Sequence, residues 1–290
     1  MKIVSKLSLL LAVMFFQMNI STAQELSFTE KYKEQAIQHL SRLMNDFYVF
    51  PEVAKKTEEH LMTQWEADHF DQFTDDESFA LALKESVQSI NKYKHMRIWV
   101  NPPYEAQPNT PERRIEERLD RMERSRRGSY GFNNVEILEG NVGYLDLRGF
   151  AGLENAQASA DAAMQLMART DAVIFDLSKN GGGSPRMVQY LCSYFFDQKV
   201  HLNSLYWRQG DETEEFWSLE EVGGTKMPEV PLFIITSDRT FSGAEEFSYN
   251  MQTQKRATLV GQTTRGGANP GGSRSINEHL SVFIAFWRPI

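Results

Sequence analysis

One stretch of the 290-residue sequence carries the residue types that acyl-transfer chemistry needs: residues 230–252, VPLFIITSDRTFSGAEEFSYNMQ. An apolar run over 232–235 stops at a polar turn over 236–240, and a helical pattern opens at Ser242. Amides in the first turn of a helix lack intrahelical partners and carry partial positive charge. A serine at that mouth is placed to attack a carbonyl while nearby amides stabilise the oxyanion. The same four residues, Ser242-Gly243-Ala244-Glu245, also match S-x-x-E, the capping box. Nucleophile and helix cap are therefore the two readings of Ser242, and one serine can serve as both.

A second feature bears on that choice. The apolar run Ala172-Val173-Ile174-Phe175 leads into Asp176-Leu177-Ser178-Lys179-Asn180 and then Gly181-Gly182-Gly183. A tight turn needs one glycine; three allow backbone amides to approach an anion closely. The phosphate signature G-K-[ST] and the dinucleotide signature G-x-G-x-x-G are both missing, so an oxyanion hole is the better reading. A later glycine-rich loop, 261–272, could line a substrate groove or turn a corner. His39, His60, His69, His95, His201 and His279 show no H-x-x-x-H or H-E-x-x-H spacing, so no metal and no cofactor is expected. His95 opens a strand-like alternation (His95, Arg97, Trp99 against Met96, Ile98, Val100) and reads from that position alone as an ordinary half-buried histidine.

The net charge of −8 argues against nucleic acid as a partner, which would call for a basic patch. The single cysteine, Cys192, permits no intrachain disulfide and lies in an apolar run, as a core thiol should. Lys2 and Lys6, an apolar segment over 7–16 and the small residues Ser21-Thr22-Ala23 form a secretory leader, with cleavage expected after Ala23. The apolar segment is too short to span a bilayer, so no membrane anchor is expected after cleavage. The expected location is a bacterial periplasm or the exterior.

These residues need elements to position them. Helical periodicity runs from 27 to about 89: Ile37, Leu40, Leu43, Met44 and Phe47 share one face, Pro51 starts a second helix, and Asp75 or Asp76 caps a third carrying Phe79, Leu83, Val87 and Ile90. A strand is expected over 91–100. The charged segment 111–127 reads as an exposed linker helix with i,i+4 pairs such as Glu117–Arg121. From 131 onward a hairpin (135–138 and 142–147) precedes alternating strands and helices, an α/β pattern with a largely parallel sheet. An acidic loop is expected over 211–221 and a last strand over 279–287. The expected division is a signal peptide over 1–23, an N-terminal helical domain over 24–103, a charged linker over 104–130 and a core over 131–290.

"DLSKNGGGSP", "TSDRTFSGAEEF" and "LVGQTTRGGANPGG", in this order, resemble the tail-specific (C-terminal processing) serine peptidase family. The closer resemblance is to its branch containing tricorn-like peptidases and the repeats of interphotoreceptor retinoid-binding protein. "YVFPEVAKK", "FALALKESVQSI" and "KYKHMRIWV" are similar to that branch's small helical domain. The resemblance implies a ClpP/crotonase-like core behind that domain and hydrolysis of peptide bonds, with a peptide or protein as substrate. It implies Ser242 as nucleophile and Gly243, Gly182 and Gly183 as oxyanion donors. The lysine used by the lysine-dependent branch falls at Gly267 here, and Arg265 does not deprotonate to replace it. His95 becomes the general base, with His279 as its rival; Gly266 and Gly267 become groove candidates. No PDZ-like sequence separates the helical domain from the core. In relatives an acidic residue beyond the last strand orients the histidine; the sequence stops at Ile290, so the core is expected to be C-terminally incomplete. Glu245, Glu246 and Glu278 are the candidate substitutes. The alternative function is a weak or inactive member that binds an apolar ligand or a peptide. Oligomeric state is not legible.

Overall fold

The computed structural model describes residues 28–93, 95–101, 110–267 and 269–290. The leader expected over 1–23 lies outside them. The chain forms two compact units, Met1–Tyr104 with Gly272–Ile284, and Glu105–Gly271 with Ala285–Ile290.

In the first unit, helices α1 (Glu30–Phe47), α2 (Pro51–Glu66) and α3 (Asp76–Asn91) appear where the apolar periodicity predicts them. Their ends follow local chemistry. Thr29 accepts the Tyr32 amide, Pro51 sits in the first turn of α2, and the Asp75 carboxylate accepts the Ser78 amide. That bond, with a second from the Ser78 hydroxyl, holds the Asp75 carboxyl below its ordinary range. Ile37, Leu40, Met44, Phe79, Leu83 and Val87 are buried, while Phe47 and Ile90 are half-buried.

Lys92 turns α3 off in a left-handed conformation (φ 53°), and the Met96 amide closes a turn on the Tyr93 carbonyl. The expected strand over 91–100 is therefore only β1 (Ile98–Val100), and His95 lies in the turn before it. β1 pairs antiparallel with β10 (Leu280–Ala285), which also pairs with β9 (Gly271–Ser275). This pairing draws 272–284 into the first unit. The compact units are accordingly not the contiguous segments 24–103 and 131–290. The expected last strand over 279–287 is likewise two strands, β10 and β11 (Trp287–Pro289).

In the second unit, α4 (Pro111–Arg127) has no buried residue. Its observed i,i+4 pairs are Arg113–Glu117 at 2.9 Å, Asp120–Arg124 and Glu123–Arg127, rather than Glu117–Arg121. The central sheet runs β2-β3-β4-β7-β8, formed by Phe132–Leu138, Val142–Leu147, Ala172–Asp176, Leu232–Thr236 and Ala257–Gly261. β2 and β3 form the expected hairpin, and the other pairings are parallel. Alternate strand residues Leu145, Leu147, Val173, Phe175 and Ile234 point into one core with α5 (Leu153–Met167), α6 (Pro185–Ser193) and α7 (Gly243–Thr253). Burying each such side chain stabilises the unit by about 1.5–3 kcal/mol.

A smaller sheet orders β11, β5 (His201–Trp207) and β6 (Glu212–Trp217). The expected acidic loop over 211–221 is thus largely strand. Phe216 is buried under the Arg186 guanidinium, which lies 4.9 Å from its ring centre. Arg186 also pairs with Glu214, so one carboxylate of the acidic run is neutralised while the backbone joins the β5 ladder.

Candidate active site

β4 and β7 are parallel neighbours with Asp176 opposite Ile235. Their C-terminal turns, one carrying the glycine triplet and the other Ser242, therefore emerge at the same sheet edge, where open α/β sheets place ligands. Polar side chains stitch the two turns together. Ser237 Oγ donates to the Ser178 carbonyl at 2.5 Å, and Thr240 Oγ1 donates to the Leu177 carbonyl at 2.8 Å. The Phe241 amide donates to the Asn180 carbonyl at 3.1 Å. Asn180 is fully buried. Its Nδ2 donates to the Leu147 carbonyl and its Oδ1 accepts the Gly182 amide, both at 2.8 Å.

Ser242 has φ 56° and ψ −120° and makes no side-chain capping bond. Such a conformation costs a non-glycine residue about 1–3 kcal/mol. A sharp strand-to-helix turn of this kind presents the nucleophilic serine of α/β-hydrolases. The S-x-x-E pattern is accordingly not a capping box in the fold. The serine hydroxyl makes no bond to the amides of its own helix, and Glu245 Oε2 is buried without a hydrogen-bond partner. The neighbouring backbone holds the strained turn. The Ser242 amide donates to the Gly266 carbonyl at 2.9 Å, the Arg265 amide donates to the Thr240 carbonyl at 2.8 Å, and Phe241 bridges Gly266.

The glycine triplet lies against this turn. A Cβ on Gly182 would stand 2.6 Å from the Gly243 nitrogen and 2.8 Å from the Ser242 Cβ. A Cβ on Gly243 would stand 3.0 Å from the Gly183 nitrogen. Gly183 (φ 146°) also bridges Phe150, whose carbonyl a Cβ would meet at 2.0 Å. Of the three glycine amides expected as oxyanion donors, that of Gly182 is taken by Asn180. Those of Gly183 and Gly243 make no hydrogen bond among the described residues. Ser242, Gly182, Gly183, Gly243 and Gly266 are thus brought together in the second unit; Gly267 follows with φ 88°.

His95 belongs to the first unit. Its Nδ1 lies 2.6 Å from the Tyr93 hydroxyl, and its ring centre lies 5.3 Å from that of Phe283. His279 is engaged elsewhere in that unit, with Nδ1 3.5 Å from Asp76 and Nε2 3.4 Å from Glu278. Glu246 faces the interior, where Asn203 Nδ2 donates to it at 2.7 Å. Burial raises its carboxyl to about 7, against a smaller lowering by Asn203. Burial likewise pushes the Cys192 thiol well above its ordinary value, as suits a core residue. The sequence reading did not single out Asn180 or Tyr93. A buried polar residue between an apolar strand and three glycines, and a phenol two residues before the histidine, were the available signals.

A model of peptidase family S41 matches residues 141–284. A model of the N-terminal domain of peptidase S41 in eukaryotic IRBP matches residues 18–126. Among solved structures, the fold is similar to that of a candidate peptidase from Parabacteroides merdae ATCC 43184 (TM-score 0.60, 16% identity, 89% of this chain and 84% of that one). It is similar to the photosystem II D1 C-terminal processing protease (TM-score 0.54, 11% identity, 89% and 88%). It is also similar to the tricorn protease (TM-score 0.51, 12% identity, 87% of this chain and 32% of that one). The expected α/β, ClpP/crotonase-like core with a helical region before it is the architecture observed. With both models matching in order and together spanning most of the sequence, the chain belongs to peptidase family S41.

Proposed function

We propose that this chain is an exported serine-type endopeptidase that cleaves peptide bonds through an acyl-enzyme on Ser242. The observation that carries the reading is the strained Ser242 at the mouth of α7, beside the unengaged amides of Gly183 and Gly243. Ser242 Oγ attacks the scissile carbonyl, and the two amides hold the oxyanion. The Gly182 amide serves the loop through Asn180 instead. Gly266 braces the nucleophile through its carbonyl, and with Gly267 it would border the substrate groove.

His95 takes the serine proton, gives it to the leaving amine, and then activates the hydrolytic water. That role needs Nε2 unprotonated. The contact with Tyr93 supports it when Nδ1–H donates and the phenol oxygen accepts. Tyr93 then fills the orienting role for which Glu245, Glu246 and Glu278 were the sequence candidates. Export rests on the leader residues, including Lys2, Lys6 and Ala23.

A fluorophosphonate probe tests the assignment. Wild-type protein should label, Ser242→Ala should not, and His95→Ala should label about 10²–10⁴-fold more slowly. Equal labelling of wild type and Ser242→Ala would remove the nucleophile and favour the non-catalytic, ligand-binding alternative.

A further inference from the structure

β8 is an edge of the central sheet, with no strand beyond it among the described residues. Such an edge leaves alternate amides and carbonyls without ladder partners. Beside it lies a cleft of about 310 Å³, walled on one side by Glu245, Ser248, Tyr249 and Gln252 of α7. These residues are spaced i, i+3, i+4 and i+7, so they form one helix face. The other wall is Leu259, Val260 and the chain from 261 to 264. Tyr249 and Val260 stand exposed at its rim, 62% and 51% accessible. Ser242 begins the same helix one turn before Glu245. A helix face set alongside a free strand edge is the geometry that receives an added strand.

Glu245 gives the cleft a charge preference. It is among the lining residues, and its Oε2 is closed to water with no hydrogen-bond donor. A buried carboxylate oxygen without a donor is unfavourable until a cation or donor meets it. The cleft is about the size of small ligand sites, room for a side chain and its flanking backbone.

We propose that this cleft takes an extended peptide segment bearing a lysine or arginine, paired by its backbone to the β8 edge with its cation against Glu245. The proposal rests on the peptidase reading for the origin of the segment, the substrate chain. It supplies what that reading lacks, a recognition element adjoining the nucleophile helix.

The test uses the full chain carrying Ser242→Ala, so that binding is scored without turnover. The probe is a blocked, fluorescein-labelled Thr-Val-Lys-Val-Thr peptide followed by anisotropy. A version with glutamate at the centre and a version N-methylated at alternate amides serve as comparisons. The lysine peptide should bind at least about tenfold more tightly than the glutamate peptide. N-methylation should abolish binding, and peptide should slow exchange of β8 amides. Adding the isosteric Glu245→Gln should bring the lysine and glutamate peptides within about twofold. Tyr249→Ala, a change at an exposed rim, should weaken both peptides alike. Equal binding of the N-methylated peptide, unchanged β8 exchange at saturation, or a lysine preference that survives Glu245→Gln would each overturn the proposal. So would a dimer joined through β8 that excludes the peptide. Failed fluorophosphonate labelling of the wild type would remove the nucleophile assignment and leave the binding result standing.

Discussion

Ser242 and Glu246 lie four residues apart on one helical turn, yet their surroundings differ. Ser242 is held in a conformation that glycine would adopt more readily, and the surrounding backbone bonds keep it there. Glu246 is half-buried, and the hydrogen bond from Asn203 offsets only part of the water it has lost. Its carboxyl sits at about 7 in the folded protein, against 4.5 ordinarily. The unfolded chain therefore releases this proton at lower pH than the folded one does. Its contribution to stability is whole below about pH 4.5, is lost as pH rises toward about 7, and is level above that. The gap corresponds to roughly 3 kcal/mol. Glu246→Gln keeps the acceptor for Asn203 and has no proton to release. Its urea unfolding free energy should match that of the native protein near pH 4.5 and exceed it by roughly 3 kcal/mol at pH 7.5. Parallel pH curves for the two proteins would contradict this account.

At the scale of elements, the site is two strand-to-helix turns held together by Asn180. Replacing it with alanine leaves the Gly182 amide and the Leu147 carbonyl without their partner inside the fold. The expected loss is about 2–4 kcal/mol, since each orphaned group costs about 1–3 kcal/mol. Asn180→Asp restores the acceptor for Gly182 and not the donor for Leu147. If the bracket positions the oxyanion amides, fluorophosphonate labelling should slow in Asn180→Ala even well below its melting temperature, and Asn180→Asp should recover part of the rate. Labelling at the native rate would make Asn180 a purely structural residue. The element pattern was largely legible: three amphipathic helices, the hairpin, the buried strand β4 and the helix after Ser242. The acidic run over 211–221 was not, because its charges pointed to solvent. Strand β6 takes its ladder from β5, and its Phe216 and Glu214 meet Arg186 of α6, contacts that local sequence spacing does not announce.

At the scale of the whole molecule, the first unit is discontinuous. β1 is three residues long and takes its ladder from β10, about 180 positions later. A chain of residues 24–103 alone should therefore keep helical content but lose β1, leaving Met96 and Ile98, both buried in the intact protein, open to water. Circular dichroism and amide exchange should show a labile helical fragment, and joining residues 271–285 through a short linker should restore cooperative melting. A fragment that melts cooperatively without that addition would show that the helices suffice. The sequence by itself determined the helices of the N-terminal unit, the hairpin and the strands and helices that flank the two glycine- and serine-bearing turns, because apolar spacing and end-capping residues act over a few positions. It also singled out Ser242 and the glycine triplet as two strand-to-helix turns carrying the resemblance to this family. Only the tertiary structure decided that the S-x-x-E serine does not cap its helix, that Gly182 gives its amide to Asn180, that Tyr93 meets His95, and that residues 272–284 complete the N-terminal unit. Each of these depends on a backbone angle or a hydrogen bond set by packing between separate elements, which local spacing does not encode.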